Sequence, residues 1–192
     1  MRQIISTMHV SLDGLAARID GRTDWIGTDS EAFFDLYDRV DACVLGRKMY
    51  PEYEQYWRAI VADPTGPLAM TGAVPTAEEV RYAEFADSTP HYVLSHRPND
   101  LDWPVASPIA DLDAIRTLRE QPGRDIYLVG GPATVGAVLD AGLIDELQLT
   151  VHPVILGGGT PLFGQAFGEH VFTLTSATPM SGGVIKLVYV RS

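Results

Sequence analysis

Cysteine is almost absent from this chain of 192 residues: Cys43 stands alone, inside the apolar run Ala42-Cys43-Val44-Leu45. One thiol excludes an intramolecular disulfide and a cysteine-built zinc site, and its setting predicts a small buried hydrophobe. No apolar run approaches the roughly 20 residues that span a bilayer, so no membrane segment is expected. The first residues lack the basic stretch and long apolar core of a secretion signal and read as a strand, which predicts a cytoplasmic protein. Positive charge is scarce as well, with 14 Lys and Arg against 25 Asp and Glu and a formal charge of −11. A field of that sign repels phosphate backbones and anionic lipid, so neither nucleic acid nor membrane is expected as a partner. An anionic ligand then needs local devices: backbone N–H groups, helix N-termini or a few clustered cations.

What is present is an ordinary globular composition, 46% hydrophobic and 20% charged, without internal repeats or low-complexity stretches. These features predict one domain over residues 1–192. A strand over 3–11 gives way to a long loop through Gly14, Gly21 and Gly27, and a helix is expected from Thr28 or Asp29 to about Arg39. Short continuous apolar runs at 42–45, 91–95 and 126–129 read as strands covered on both faces. Helical patterns follow, at 76–86 behind the capping box Thr76-Ala77-Glu78-Glu79, at 112–120 and after Gly131. Residues 63–76, rich in Pro and Gly, read as a surface connection serving as a lid or an interface. The last third alternates and ends in an antiparallel pair, 171–175 and 184–190, around Ser181-Gly182-Gly183. The expected class is α/β, a mainly parallel sheet with an antiparallel C-terminal edge.

Two strand-to-helix turns carry the chemistry. At Val129-Gly130-Gly131-Pro132-Ala133-Thr134, four apolar residues run into paired glycines and a helix start, which presents backbone N–H groups without an obstructing side chain. That turn suits the pyrophosphate of a dinucleotide, and it equally suits a helix packed closely on a sheet. Neither the Gly-x-Gly-x-x-Gly fingerprint nor a P-loop is present. Gly46-Arg47-Lys48-Met49-Tyr50 repeats the device on another strand and adds two cations, while Ser95-His96-Arg97 ends a third. A 2′-phosphate could be held there, or the segment could be a plain polar loop.

In their order, these motifs resemble the dihydrofolate-reductase-like superfamily, and specifically the C-terminal reductase domain of bifunctional riboflavin-biosynthesis deaminase-reductases. The likeness spans nearly the whole chain and adds Ser11-Leu12-Asp13-Gly14, Trp25-Ile26, Ile144-Asp145-Glu146-Leu147 and the run from Pro153 to Phe163 with its three glycines at 157–159. The resemblance implies a sheet of about eight strands with helices on both faces, NADPH across the strands' C-terminal ends, and hydride transfer. It implies a strained peptide at Gly130-Gly131, the nicotinamide near residues 11–17, and Arg47, Lys48 and Ser95, His96 and Arg97 toward the phosphates and adenosine. It also implies a homodimer, for which the apolar segment 151–162 offers a face. Two departures bear on the substrate. Val129 stands where those reductases carry a substrate-binding glutamate, and their ribose-phosphate arginines have no clear counterpart at 51–57.

Reduction of a C=N or C=O bond needs a hydride and a proton, and Asp13 and Asp29 are the candidate acids. Asp13 also suits a turn before Gly14, and Asp29 a helix cap. His9 and His152 read as packed, hydrogen-bonded strand residues. Trp25, Phe34 and Tyr50 are the aromatic candidates to wall a flat pterin-, flavin- or pyrimidine-like substrate, Trp25 foremost because a loop aromatic has fewer packing reasons to exist. The function expected is an NADPH-dependent oxidoreductase acting on a small heterocycle; the alternative is an NADPH- or flavin-binding protein on the same fold with little or no catalysis.

Overall fold

Eight strands form one sheet in the order β5-β4-β3-β6-β1-β7-β10-β9 in a computed structural model that describes residues 1–26, 35–95, 101–164, 166 and 168–192. The strands are β1 (Ile4–Ser11), β3 (Val40–Gly46), β4 (His91–Leu94), β5 (Ala106–Ile109), β6 (Asp125–Val129), β7 (Glu146–His152), β9 (Phe172–Pro179) and β10 (Ile185–Arg191). Pairing is parallel from β5 across to β7, and β10 lies antiparallel to both β7 and β9. A separate antiparallel ladder joins β2 (Leu15–Arg18) to β8 (Gly159–Pro161). The expected edge is present, with β9 running on to Pro179 rather than stopping near Thr175.

Apolar residues cover both faces of the central strands, as continuous hydrophobic runs require. One cluster gathers Ile5, Cys43, Leu45 and Val129 beneath α1 (Tyr50–Ala62) and α2 (Ala77–Ser88). The other gathers Ile4, Val44, Ile126 and Leu128 against α3 (Leu112–Glu120) and α4 (Pro132–Asp140). Cys43 is fully buried, and burial raises its thiol far above the ordinary range, as expected of a packed hydrophobe.

Of the helix expected from Thr28 to Arg39, only 35–39 lies within the described residues. That stretch is a turn closed by Arg39 N and Val40 N donating to the Leu36 carbonyl, and Leu36 is buried in the core. Four helices remain in the described chain, and none is long and apolar enough to cross a membrane.

Ion pairs ring the end of the sheet opposite the turns. Arg39 grips Glu146 with two nitrogens at 3.0 and 2.9 Å, Gln148 Nε2 donates to the same carboxylate at 2.7 Å, and Arg2 pairs with Asp41. Glu146 is buried at the first residue of β7, so this pairing holds a strand start that would otherwise sink an uncompensated charge.

Candidate active site

The site lies where crossovers diverge. Strands β3 and β6 are neighbours, with Leu45 opposite Val129, yet the chain leaves β3 for α1 on one face and β6 for α4 on the other. A crevice opens at such a point, outside the carboxyl ends of the strands. Gly46 ends β3 and Gly130 follows β6, and both turn against Thr134: a Cβ at Gly46 would collide with Thr134 Oγ1, and one at Gly130 would come within 3.0 Å of Thr134 Cβ. A side chain at Gly46 would displace Thr134 Oγ1, and one at Gly130 would crowd Thr134 Cβ.

Gly131 differs from both. A Cβ there meets nothing within 4 Å, so its backbone borders open space at the start of α4. The strained peptide implied by the resemblance is not found: Gly131 has an ordinary extended backbone, φ −75° and ψ 172°, and the peptide bonds of the described residues are all trans. The absence of side chains above the turn, rather than distortion, is what the glycine pair provides.

Helix capping separates structural helices from those at the crevice. Helix α2 begins with the full Thr76–Glu79 capping box, and α3 with Asp111 accepting from Ala114 N at 3.0 Å. Neither α1 nor α4 has a side-chain cap, and both begin with proline in the first turn. Their first N–H groups have no side-chain acceptor; α1 carries the acidic Glu52 in its first turn, and α4 carries no acid there. Met49 is the residue capping α1, Lys48 beside it is exposed, and half-buried Arg47 donates to Ser95 Oγ at 3.3 Å. Ala133 is exposed and Val129 buried on either side of the glycine pair. His96 and Arg97, expected beside Ser95, lie outside the described residues.

A cleft of about 530 Å³ runs from this turn pair along β1 and under α1. Met8, His9, Ala16 and Ala17 form one side, Val129, Gly130, Gly131 and Pro132 another, and Tyr53, Tyr56, Trp57 and Tyr82 the far wall. Met70, in the connection 63–76, reaches the rim. The hydroxyls of the aromatic wall are turned inward. His91 Nδ1 lies 2.7 Å from the Thr89 carbonyl, which can only accept, so that nitrogen holds the proton and Nε2 accepts from Tyr53 Oη at 3.2 Å. Tyr82 then donates to Tyr53 at 2.7 Å, and Tyr56 donates to Glu79 Oε1 at 2.7 Å. Burial pushes His91 down to about 4, which keeps the ring neutral and the chain of donors in this order.

Asp13 is committed to structure. Its carboxylate accepts from Ser11 Oγ at 2.6 Å, Leu156 N at 3.1 Å and Gly157 N at 2.8 Å, and these donors, Ser11 foremost, hold it down at about 2. It joins the end of β1 to the 156–157 loop as an anion and has no proton to deliver near neutral pH. Tyr50, expected to wall a substrate, is buried in the core with its hydroxyl accepting from Trp103 N at 3.3 Å. It shares the buried stripe of α1 with Tyr53, Trp57 and Ile60, and unlike Tyr53 and Trp57 it does not line the cleft. Asp29 and Phe34 lie outside the described residues. Trp25 packs edge-on against His152, ring centroids 5.2 Å apart, and its buried indole N–H has no hydrogen-bond partner among the described residues.

The histidines form a pair that the sequence reading treats as separate packing residues. His9 Nδ1 and His152 Nε2 are 2.9 Å apart, across the parallel β1–β7 ladder in which Ser11 faces His152. Burial first, and then the neighbouring His152, lower His9 to about 4; burial lowers His152 as well. Two neutral rings joined by a single N–H···N bond result, and His9, with Nδ1 engaged, has only Nε2 for the cleft. The one signal in the sequence is that His9 shares the odd-numbered face of β1 with Ile5 and Thr7.

An open sheet with a crevice at its switch point and an antiparallel edge defines a dihydrofolate-reductase-like fold. The chain belongs to the RibD C-terminal domain family, whose model matches residues 2–186. It is 30% identical over 191 residues to the uncharacterized protein YyaP of Bacillus subtilis (strain 168), covering 98% of this chain and 94% of that one. A diaminohydroxyphosphoribosylaminopyrimidine deaminase/5-amino-6-(5-phosphoribosylamino)uracil reductase from Thermotoga maritima superposes with TM-score 0.66 at 15% identity, over 100% of this chain and 57% of its own. Dihydrofolate reductase from Enterococcus faecalis, solved with NADP(H), gives TM-score 0.65 at 14% identity over 99% and 96%. The two solved structures are of reductases, and the Bacillus subtilis relative is uncharacterized.

Proposed function

We propose that the chain is an NADPH-dependent reductase that transfers a hydride to a small heterocyclic substrate. The observation that carries this reading is the pair of glycine turns at the ends of adjacent strands, opening two uncapped helix starts onto one aromatic cleft. The residues fit the cofactor. Gly131 leaves room for phosphate oxygens to approach backbone, Gly46 and Gly130 seat Thr134, and Arg47, Lys48, Met49 and Ser95 lie on the side where α1 begins. The resemblance implies that His96 and Arg97, outside the described residues, serve the adenosine end of the cofactor.

Bound NADPH supplies the hydride, and the protein supplies orientation, exclusion of water and a proton. Ala16 and Ala17 of β2 border the cleft without bulk, so a flat ring can lie against that strand. Asp13 fixes the turn that leads from β1 into β2 through its bonds to Leu156 and Gly157. Of the two acids singled out in the sequence, Asp29 is the one we propose for proton delivery.

Titration with NADPH and NADH, followed by tryptophan fluorescence, tests the cofactor. NADPH binding is expected to be the tighter, and absence of binding by either below about 1 mM overturns the reading. Arg47→Ala is expected to narrow the preference for NADPH by about 1–3 kcal/mol through loss of a charge-assisted contact.

A further inference from the structure

Most polar side chains inside the cleft already have protein partners. Tyr53 donates to His91, Tyr82 to Tyr53 and Tyr56 to Glu79, while Thr7 lies 3.5 Å from Gln148 Oε1 and hydrogen-bonds Tyr127. Thr23 and Glu52 border the cleft as exposed residues. His9 is the exception. It is half-buried, it lines the cleft, its Nδ1 is 2.9 Å from His152 Nε2, and its Nε2 has no hydrogen-bond partner among the described residues. His152 is itself buried, with Trp25 packed edge-on against it at 5.2 Å, so the ring behind His9 has little freedom to turn. The N–H···N bond couples the two rings. When His152 Nε2 donates, His9 carries its proton on Nε2 and shows the cleft an N–H; when His9 Nδ1 donates, Nε2 shows a lone pair.

We propose that His9 Nε2 is the hydrogen-bonding anchor for the heterocycle taken up beside the cofactor, and that the ring edge it grips is a cyclic amide, through either its N–H or its C=O. The inference rests on the reductase reading above and names the feature of the substrate that this site selects. A largely apolar cleft fixes the orientation of a ligand through a few polar contacts. The aromatic faces of Tyr53 and Trp57 offer stacking, which leaves a flat ring free to rotate in its own plane; a hydrogen bond at His9 removes that freedom. An N–H edge meets the lone-pair tautomer and a carbonyl edge meets the N–H tautomer, so one imidazole serves either side of the amide. Burial, which lowers both histidines, keeps the pair uncharged near neutral pH and thereby leaves Nε2 able to accept as well as donate. A ring lacking such an edge would cover Nε2 and strip its hydration without replacing it.

The probe is lumazine, a flat two-ring heterocycle with cyclic amide edges, added to the full chain saturated with NADPH and isotopically labelled at its imidazole nitrogens. Lumazine is expected to move the His9 Nε2 resonance toward a single tautomer. In equilibrium dialysis, His9→Phe, which keeps a flat ring and loses both nitrogens, is expected to bind lumazine about 5- to 10-fold more weakly. His152→Phe keeps Nε2 but removes the bond that couples the rings, so it is expected to change the His9 tautomer before lumazine is added and to weaken binding by only about 2- to 3-fold. Thermal denaturation checks the fold of each variant, and the resonance is read on the unaltered protein, so it decides the matter even where a variant does not fold. An unmoved His9 Nε2 resonance overturns the proposal, as does lumazine affinity within about twofold of the unaltered protein in a folded His9→Phe, or a failure of lumazine to bind. The NADPH titration judges the cofactor reading by itself, so failure of one is distinguishable from failure of the other.

Discussion

Thr134, in the first turn of α4, occupies the space that a side chain on Gly46 would need, although the two residues belong to different crossovers. The contact locks the starts of α1 and α4 together at the mouth of the crevice. Gly46→Ala is expected to destabilise the protein by about 1–3 kcal/mol and to weaken NADPH binding, because the turn must shift to relieve the overlap. The clash is with Oγ1, while Thr134 Cβ lies 3.3 Å away. Adding Thr134→Ala should therefore restore most of both losses, as read by urea denaturation and fluorescence titration. Failure of the double variant to recover would place the requirement for Gly46 elsewhere.

His9 and His91, both held down at about 4, make stability depend on pH. An imidazole whose folded value is depressed binds its proton more weakly than in the unfolded chain, so stability is full above the unfolded value of about 6.5 and falls as pH drops toward 4. Each ring contributes on the order of 3 kcal/mol across that window. Urea denaturation at pH 7 and pH 4.5 should show the loss, and His9→Gln should make the slope shallower. Asp13 acts lower, since its depressed carboxyl keeps its contribution until pH falls below the ordinary carboxylate range toward about 2.

Asp13 tests positioning against acid catalysis. Asparagine keeps one oxygen, enough for Ser11 Oγ and Leu156 N, which share Oδ1, and loses the acceptor for Gly157 N, while it cannot donate a proton as an acid. Asp13→Asn is expected to hold kcat within about 10-fold with an unshifted pH profile, whereas Asp13→Ala frees the loop and raises KM. Loss of the acidic limb of the profile in Asp13→Asn would return the proton to this residue.

At the opposite end of the sheet, Arg39→Ala would strand Glu146, which is buried and keeps only the Gln148 amide. A loss of about 2–4 kcal/mol is expected from denaturant unfolding, less than for a fully buried pair because Arg39 itself is 40% exposed. NADPH affinity should be unaffected, since the pair lies far from the turns.

Local chemistry made much of the fold legible. Apolar runs at β3, β4 and β6, the Thr76–Glu79 capping box and the final alternating pair carry their structure in residues close in sequence, where period and turn chemistry decide. Both glycine turns were visible for the same reason. Their partner was not: nothing near Gly46 in the chain indicates that Thr134 fills its side-chain space. Tyr50 shows the converse, since its place beside Gly46 suggests a wall of the site while its angle on α1 sends it into the core against Trp103.

The sequence by itself determined the α/β alternation, the antiparallel edge and the two glycine turns that follow β3 and β6. Only tertiary structure decided that the two turns share one crevice, that Asp13 is a brace and that His9 meets His152, 143 positions away. The physical reason is that period, capping and turn propensity act over a few residues. Burial, desolvation and hydrogen-bond partnership depend instead on which strands become neighbours, and parallel crossovers bring together strands that are distant in the chain.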